Sequence, residues 1–245
     1  MTTQYLMSSE NVLGDEHSFV RLVDTMPSLD VNLPPMAVAL GDQRIVDAAR
    51  VSISGDAVET KSSPERLIRY MLKNKHTTPF EHVRFTFHVR LPLFCARQWI
   101  RHRTGSFSEQ SARYGKLKPD FYVPTIERML RGGQAKENKQ GSGTALDKSR
   151  SKEMREQIKY LSDSSHLEYE ALLERGLARE LARIVLPVNV YTQWFWTTDL
   201  HNLMHFLRLR LHSHAQWEMQ QYGKAIMPMT EAIAPLAMAA FKESL

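Results

Sequence analysis

An α+β fold is predicted for this chain on three observations. One segment alternates apolar and polar residues as a strand does, several longer segments have helical spacing, and their order along the chain suits a mixed arrangement. The 245 residues suffice for a substantial core and fit a single domain spanning 1–245. The first seventeen or so residues are polar and aperiodic and are expected to be loosely held. Ile45 to Val51 and Glu65 to Lys73 have helical spacing, and Ser63-Pro64-Glu65 supplies a cap and a first-turn proline to the second of these. From Val83 the chain places Val83, Phe85, Phe87, Val89 and Leu91 on one face and Arg84, Thr86, His88 and Arg90 on the other, a period of two that Pro92 ends.

Leu93 to Arg103 is predicted helical, with Leu93, Phe94 and Ile100 on its apolar face and Arg97 and Arg101 on another. Residues 131–147 are rich in glycine, lysine and glutamine and are expected to form a surface insertion. Helices are then predicted over Lys148 to Arg175, Arg179 to Leu186 and roughly Trp196 to Arg210, with a last one beginning near Ser213 and running through Trp217 and Tyr222. No internal repeat is visible, which argues against solenoids and propellers.

Thirty-two lysines and arginines against 27 aspartates and glutamates leave a formal charge of +5, too little for a nucleic-acid coat or a polybasic membrane anchor. It suits an anionic small molecule if the arginines converge. One cysteine excludes an intramolecular disulfide framework, a multi-cysteine zinc site and a redox CxxC pair. No uncharged apolar run approaches the ~18 residues of a membrane span, and the N-terminus lacks a signal-peptide profile, so a cytoplasmic location without membrane association is expected.

The densest polar cluster runs from Arg101 to Tyr114, where Arg101-His102-Arg103 leads into Ser106, Ser108, Glu109, Gln110, Ser111 and Arg113. Guanidinium forks, hydroxyls and loop N–H groups together can wrap a phosphate. On composition alone, a solvated basic helix end is the simpler reading. Cys95 lies in the apolar run from Leu91 to Ala96 and is expected to be a buried packing residue rather than a nucleophile. Trp194-Phe195-Trp196 suits either a core or an interface.

Arg101-His102-Arg103, seven residues and then Ser111 resemble the RHR-x7-S signature of the flavin-dependent thymidylate synthases, and Arg113-Tyr114 continues that pattern. HTTPFEHVRFTFHV from His76, ELARIVLPVNVYTQWFW from Glu180 and SHAQWEMQQY from Ser213 are similar to the same family's segments, in the same order. The resemblance implies an antiparallel-rich sheet flanked by helices. It also implies reductive methylation of dUMP to dTMP, with methylenetetrahydrofolate as carbon donor, FAD as redox centre, NADPH as electron source and a homotetramer whose sites lie between subunits.

Carried over position by position, the resemblance assigns Gln98, Arg101, Glu109, Gln110, Ser111, Arg113, Arg183 and Arg210 to the nucleotide. It gives Arg210 the catalytic role of stabilising negative charge on the uracil imide, whereas the alternating Leu207-Arg208-Leu209-Arg210-Leu211 run by itself suggests a surface charge. Ser52, His76, Thr78, Arg101, His102, Arg103, Glu109, Asp199, His201 and His205 match the flavin positions. Three departures stand out. Ser108 replaces an asparagine while keeping a donor and an acceptor, Asp199 puts an anion where members often have asparagine, and His201 puts a titratable group where they often have arginine. The last two predict a weaker or more pH-dependent hold on the flavin. No GxGxxG fingerprint is present, so side chains must hold the cofactor.

Two other classes can be set against these residues. His201 and His205 lie four apart, but Asn202 stands where the zincin pattern needs glutamate, so no metal is expected. A basic single-stranded nucleic-acid-binding module would need Phe107, Tyr114, Phe121 and Tyr122 as a stacking platform, and they lie instead in a hydroxyl-rich loop with little net charge behind them. No nucleic-acid partner is expected.

Overall fold

The structure is a computed structural model and describes residues 5–28, 40–51, 62–136 and 141–245. Its sheet is built from β1 (Met7–Glu10), β2 (Phe19–Met26), β3 (Arg84–Pro92), β4 (Ser106–Glu109) and, far downstream, the strand Tyr191–Asp199. Helices α1 (Leu40–Arg50), α2 (Pro64–Lys73) and α3 (Thr78–Glu81) precede β3, and α4 (Leu93–Trp99) follows it directly. Next come α5 (Ile126–Leu130), a small ribbon of β5 (Gly133–Gln134) and β6 (Ser142–Thr144), α6 (Lys148–Glu174) and α7 (Arg179–Ala182). The strand Tyr191–Asp199 is β7, and α8 (Leu200–Leu211), α9 (Trp217–Ile233) and α10 (Pro235–Lys242) complete the order. The five-stranded sheet runs β1-β2-β3-β7-β4 with every neighbouring pair antiparallel.

The strand predicted from Val83 is the centre of that sheet. Val83, Phe85, Phe87, Val89 and Leu91 are wholly buried. Each contributes about 1.5–3 kcal/mol by burial, and a one-residue slip would turn all of them outward, so the register is strongly specified. Phe87 pairs with Trp196 and Val89 with Trp194 across β3 and β7. Against this face pack Leu203, Phe206 and Leu207 of α8 and Met219, Tyr222 and Ile226 of α9. The opposite face is more polar, with a Thr86–Thr197 hydroxyl contact of 3.0 Å, a His88–Gln193 contact of 3.1 Å and an ion pair between Arg90 and Asp120.

The helix expected over Glu65 to Lys73 is α2, and Ser63 caps it by accepting from the N–H of Arg66. Helix α6 matches its predicted span, with Asp147 as the cap. Four expectations fail. The N-terminal segment is not loose throughout: Met7 to Glu10 pair with β2, and a polar edge strand such as MSSE has no apolar period by which to be recognised. The helix from Leu93 stops at Trp99, and its buried face is Cys95, Ala96 and Trp99, while Ile100 is exposed.

The helix expected over Trp196 to Arg210 is instead the end of β7 followed by α8. Apolar residues on both sides of Tyr191–Asp199 hide the period of two, and Asp199 starts α8 by accepting from the N–H of Asn202 at 2.9 Å. The helix predicted over Arg179 to Leu186 breaks after Ala182 into a 3-10 turn at Arg183–Val185. Strand geometry also divides the aromatic triplet: Trp194 and Trp196 face the core, whereas Phe195 is 40% exposed on the other side.

Candidate active site

Trp99 anchors the end of α4. Its ring lies 5.1 Å from that of Trp196, 4.6 Å from Phe206 and 5.7 Å from Tyr222, and it is completely buried. The residues on either side are thereby held at the rim of the core. Gln98 is half-buried, and Arg101 to Arg103 form a turn rather than the helix end expected. Beyond that turn Gly105 passes so close to the indole that a Cβ there would lie 2.3 Å from Trp196 Nε1. Only glycine allows this approach.

Arg210 comes to the same rim from the last turn of α8. Its Nε donates to His102 Nε2 at 3.1 Å and its Nη2 donates to the carbonyl of Gln98 at 3.0 Å. It is therefore half-buried and bonded inward, not a free surface charge. Burial lowers its pKa, which still leaves a cation at neutral pH. Burial, then Arg210, then His205 push the His102 pKa down to about 4. His102 is thus neutral; since Nε2 accepts, the ring proton sits on Nδ1 and is available as a donor. The His205 ring is 5.8 Å away.

A second group gathers around β4 and α7. Glu109 Oε1 accepts from the Thr192 hydroxyl at 2.7 Å, and the N–H of Gln110 donates to the Gln193 carbonyl at 2.9 Å. Ser111 Oγ accepts from the N–H of Arg113 at 3.3 Å, so this hydroxyl shapes its own turn. Arg113 lies 3.3 Å from Glu180, whose carbonyl accepts from Arg183 Nε at 3.3 Å. No hydrogen bond or ion pair among the described residues joins this group to Gln98, His102 and Arg210.

A third group lines a cavity of about 710 Å³, where His76, His201 and His205 share the wall with Met204 and Phe241. Thr78 and His76 line an adjoining hollow of about 480 Å³. Lys73 and Lys75 add cations to the larger cavity, and its apolar side chains offer a surface for a flat ring. This donor set fits a flavin nucleotide, which needs cations for its pyrophosphate and apolar contact for its ring system. Arg101 and Arg103 are exposed and make no ion pair among the described residues, so no internal anion competes for their forks. Asp199 is more committed: Oδ1 accepts from the N–H of Asn202 and Oδ2 accepts from Asn202 Nδ2 at 2.7 Å, so both oxygens serve the start of α8. Ser52 lies outside the described residues.

Cys95 is wholly buried and its thiol pKa is pushed well up by burial, which agrees with a packing residue. Phe107, Tyr114, Phe121 and Tyr122 do not form an aromatic platform for nucleic acid. Phe107 packs edge-on to Trp194 at 5.0 Å, Phe121 and Tyr122 are buried, and of the four only Tyr114 is exposed. Among the described residues no group of three or more His, Cys, Asp or Glu is placed to hold a metal ion, and no helix is long and apolar enough to cross a membrane. Sequence reasoning assigned no role to Gln216 and Glu218, although the segment SHAQWEMQQY contains both. Gln98 Nε2 donates to Gln216 Oε1, and Gln216 Nε2 donates to Glu218 Oε2 at 2.9 Å.

The chain is similar to several known proteins. A family model described as thymidylate synthase complementing protein (Thy1) matches residues 37–236. The flavin-dependent thymidylate synthase of Thermus thermophilus is 48% identical over 223 residues, covering 90% of this chain and 79% of that protein. Its counterpart in Dictyostelium discoideum is 45% identical over 228 residues, covering 92% of this chain and 72% of that protein. The crystal structure of a UMP/dUMP methylase, PolB from Streptomyces cacaoi, bound with 5-Br UMP, aligns with a TM-score of 0.77 at 34% identity over 91% of this chain and 93% of its own. Identity at this level over nine-tenths of the sequence, together with the shared fold, shows that the chain belongs to the flavin-dependent thymidylate synthase family.

Proposed function

We propose that this protein converts dUMP to dTMP by reductive methylation, with methylenetetrahydrofolate as carbon donor, FAD as the flavin and NADPH as electron source. The reading extends to a cytoplasmic homotetramer of one-domain subunits, with residues 131–147 as a surface insertion and no nucleic-acid partner. The observation that carries it is the Arg210 guanidinium, half-buried at the RHR turn and oriented by His102 and the Gln98 carbonyl.

In this reading, Arg101, Glu109, Gln110, Ser111, Arg113 and Arg183 bind the nucleotide, with the arginines and the Ser111 turn receiving the phosphate. Arg210 cannot serve as a base at neutral pH. With one Nε–H and one Nη–H already committed, its remaining N–H groups stabilise negative charge developing on the uracil imide, which makes the ring carbon more nucleophilic. His102 supports this by staying neutral, because a protonated imidazole at 3.1 Å would repel the guanidinium. The flavin, when bound, supplies the redox and carbon-transfer chemistry that the single buried cysteine cannot. His76, Thr78, His201, His205, Arg101 and Arg103 would hold it, while Asp199 would act through the start of α8.

The deciding experiment is the visible spectrum of the purified protein, followed by anaerobic addition of NADPH with and without dUMP. A flavin band that bleaches, and bleaches faster with dUMP, is the expected result. A protein that is colourless and takes up no added FAD would overturn the reading.

A further inference from the structure

Glu218 lies in the first turn of α9 and is 2% exposed. Three donors converge on its carboxylate: Arg128 Nε at 2.7 Å and the Tyr122 hydroxyl at 3.0 Å on Oε1, and Gln216 Nε2 at 2.9 Å on Oε2. Burial and Glu218 itself push the Tyr122 phenol pKa well up, so that hydroxyl keeps its proton and remains a donor. The carboxylate is therefore paired and satisfied, the condition under which a buried charge is tolerated.

We propose that Glu218 is a positioning residue for the nucleotide, acting through Gln216 to set which end of the Gln98 amide faces the substrate. An ionised carboxylate only accepts hydrogen bonds, so the Gln216 side chain must turn its nitrogen toward Glu218 and its oxygen the other way. Gln98 meets that oxygen and must donate to it, which commits the Gln98 nitrogen to Gln216. Its own oxygen, Oε1, is engaged by no described residue. The backbone of Gln98 is held as well, since its carbonyl accepts from Arg210 Nη2. A lone glutamine can flip its amide at little cost; this one is locked by a charge two side chains away.

The consequence is an acceptor offered to the ligand. The base and sugar of dUMP have two donors, the ring N3–H and the ribose 3′-hydroxyl, and the fixed Gln98 oxygen suits either. The proposal rests on the reading of Gln98 as a nucleotide ligand. A carboxylate that merely tied α5 to α9 would make no demand on Gln98, and this separates the two roles.

The test is a set of dUMP titrations by calorimetry on the flavin-loaded enzyme. Wild type is compared with Gln98→Ala, Gln216→Ala, Glu218→Gln and the double variant Gln98→Ala/Gln216→Ala. Each single variant should weaken dUMP binding by about 3- to 10-fold, the range of one ordinary hydrogen bond, and the double variant should be no weaker than Gln98→Ala alone. Gln216 is half-buried and lines an open hollow with Trp217 and Arg131, so Gln216→Ala carries the test even if Glu218→Gln fails to fold. Additive losses in the double variant would overturn the relay while leaving Gln98 as a ligand. An unchanged affinity in Gln98→Ala would overturn the ligand reading and the relay with it.

Discussion

His102 and Arg210 form a contact in which only one partner is charged, and that asymmetry has a measurable signature. The ordinary histidine pKa of 6.5 is lowered here to about 4, chiefly by burial and then by Arg210. As the pH falls through 6.5 the unfolded chain takes up this proton, while the folded chain waits until about 4. Stability contributed by the neutral imidazole is therefore complete above pH 6.5 and lost progressively down to pH 4. Replacing His102 with glutamine should flatten that part of a stability–pH profile followed by thermal melting. In Arg210→Gln one cause of the shift is gone, so the His102 pKa should rise above about 4 in an NMR titration. The proposed division of roles among the arginines is tested at the same scale. Arg210→Ala should lower kcat by about 10²- to 10³-fold with a smaller effect on KM, as loss of a charge-stabilising donor does, whereas Arg113→Ala and Arg183→Ala should chiefly raise KM. Equal changes in KM in all three variants, with kcat untouched, would refute the division.

Helix α8 places His201, His205 and Arg210, so whatever starts that helix positions both the proposed flavin and nucleotide groups. The start is Asp199, whose carboxylate accepts from the backbone and side chain of Asn202. Its departure from the family's asparagine is thus compatible with the local structure, since both residues make good N-caps. Asp199→Ala should cost about 1 kcal/mol in denaturant unfolding, and Asp199→Asn close to nothing. A neutral Asp199→Ala result would mean that the cap is not what fixes the start of α8. Element boundaries of this kind were only partly legible. Ser63-Pro64-Glu65 announces α2 because cap, proline and acid fall together, whereas Asp199 is hidden at the end of an apolar strand that reads as part of the helix.

The surface carries apolar residues that the core does not use. Leu161 and Leu167 of α6 are 57% and 67% exposed, and Leu181 and Ile184, in and just beyond α7, are 50% and 74% exposed. Leu181 and Ile184 each adjoin a member of the Arg113–Glu180–Arg183 group in the chain, and exposed apolar residues of this kind fit the proposed tetramer. Leu167→Glu should leave the subunit folded by circular dichroism yet reduce the mass measured by light scattering; an unchanged mass would remove α6 from the interface. The sequence by itself determined the central strand, the long α6 helix, the RHR-x7-S segment and the burial of Cys95, because each rests on local periodicity, capping or a contiguous motif. Only the tertiary structure decided that Tyr191–Asp199 is a strand, that Arg210 turns inward onto His102, and that Glu218 reaches Gln98 through Gln216. Those facts join residues more than a hundred positions apart or set a strand's conformation by the neighbours that cover it, and no local pattern carries information of that range.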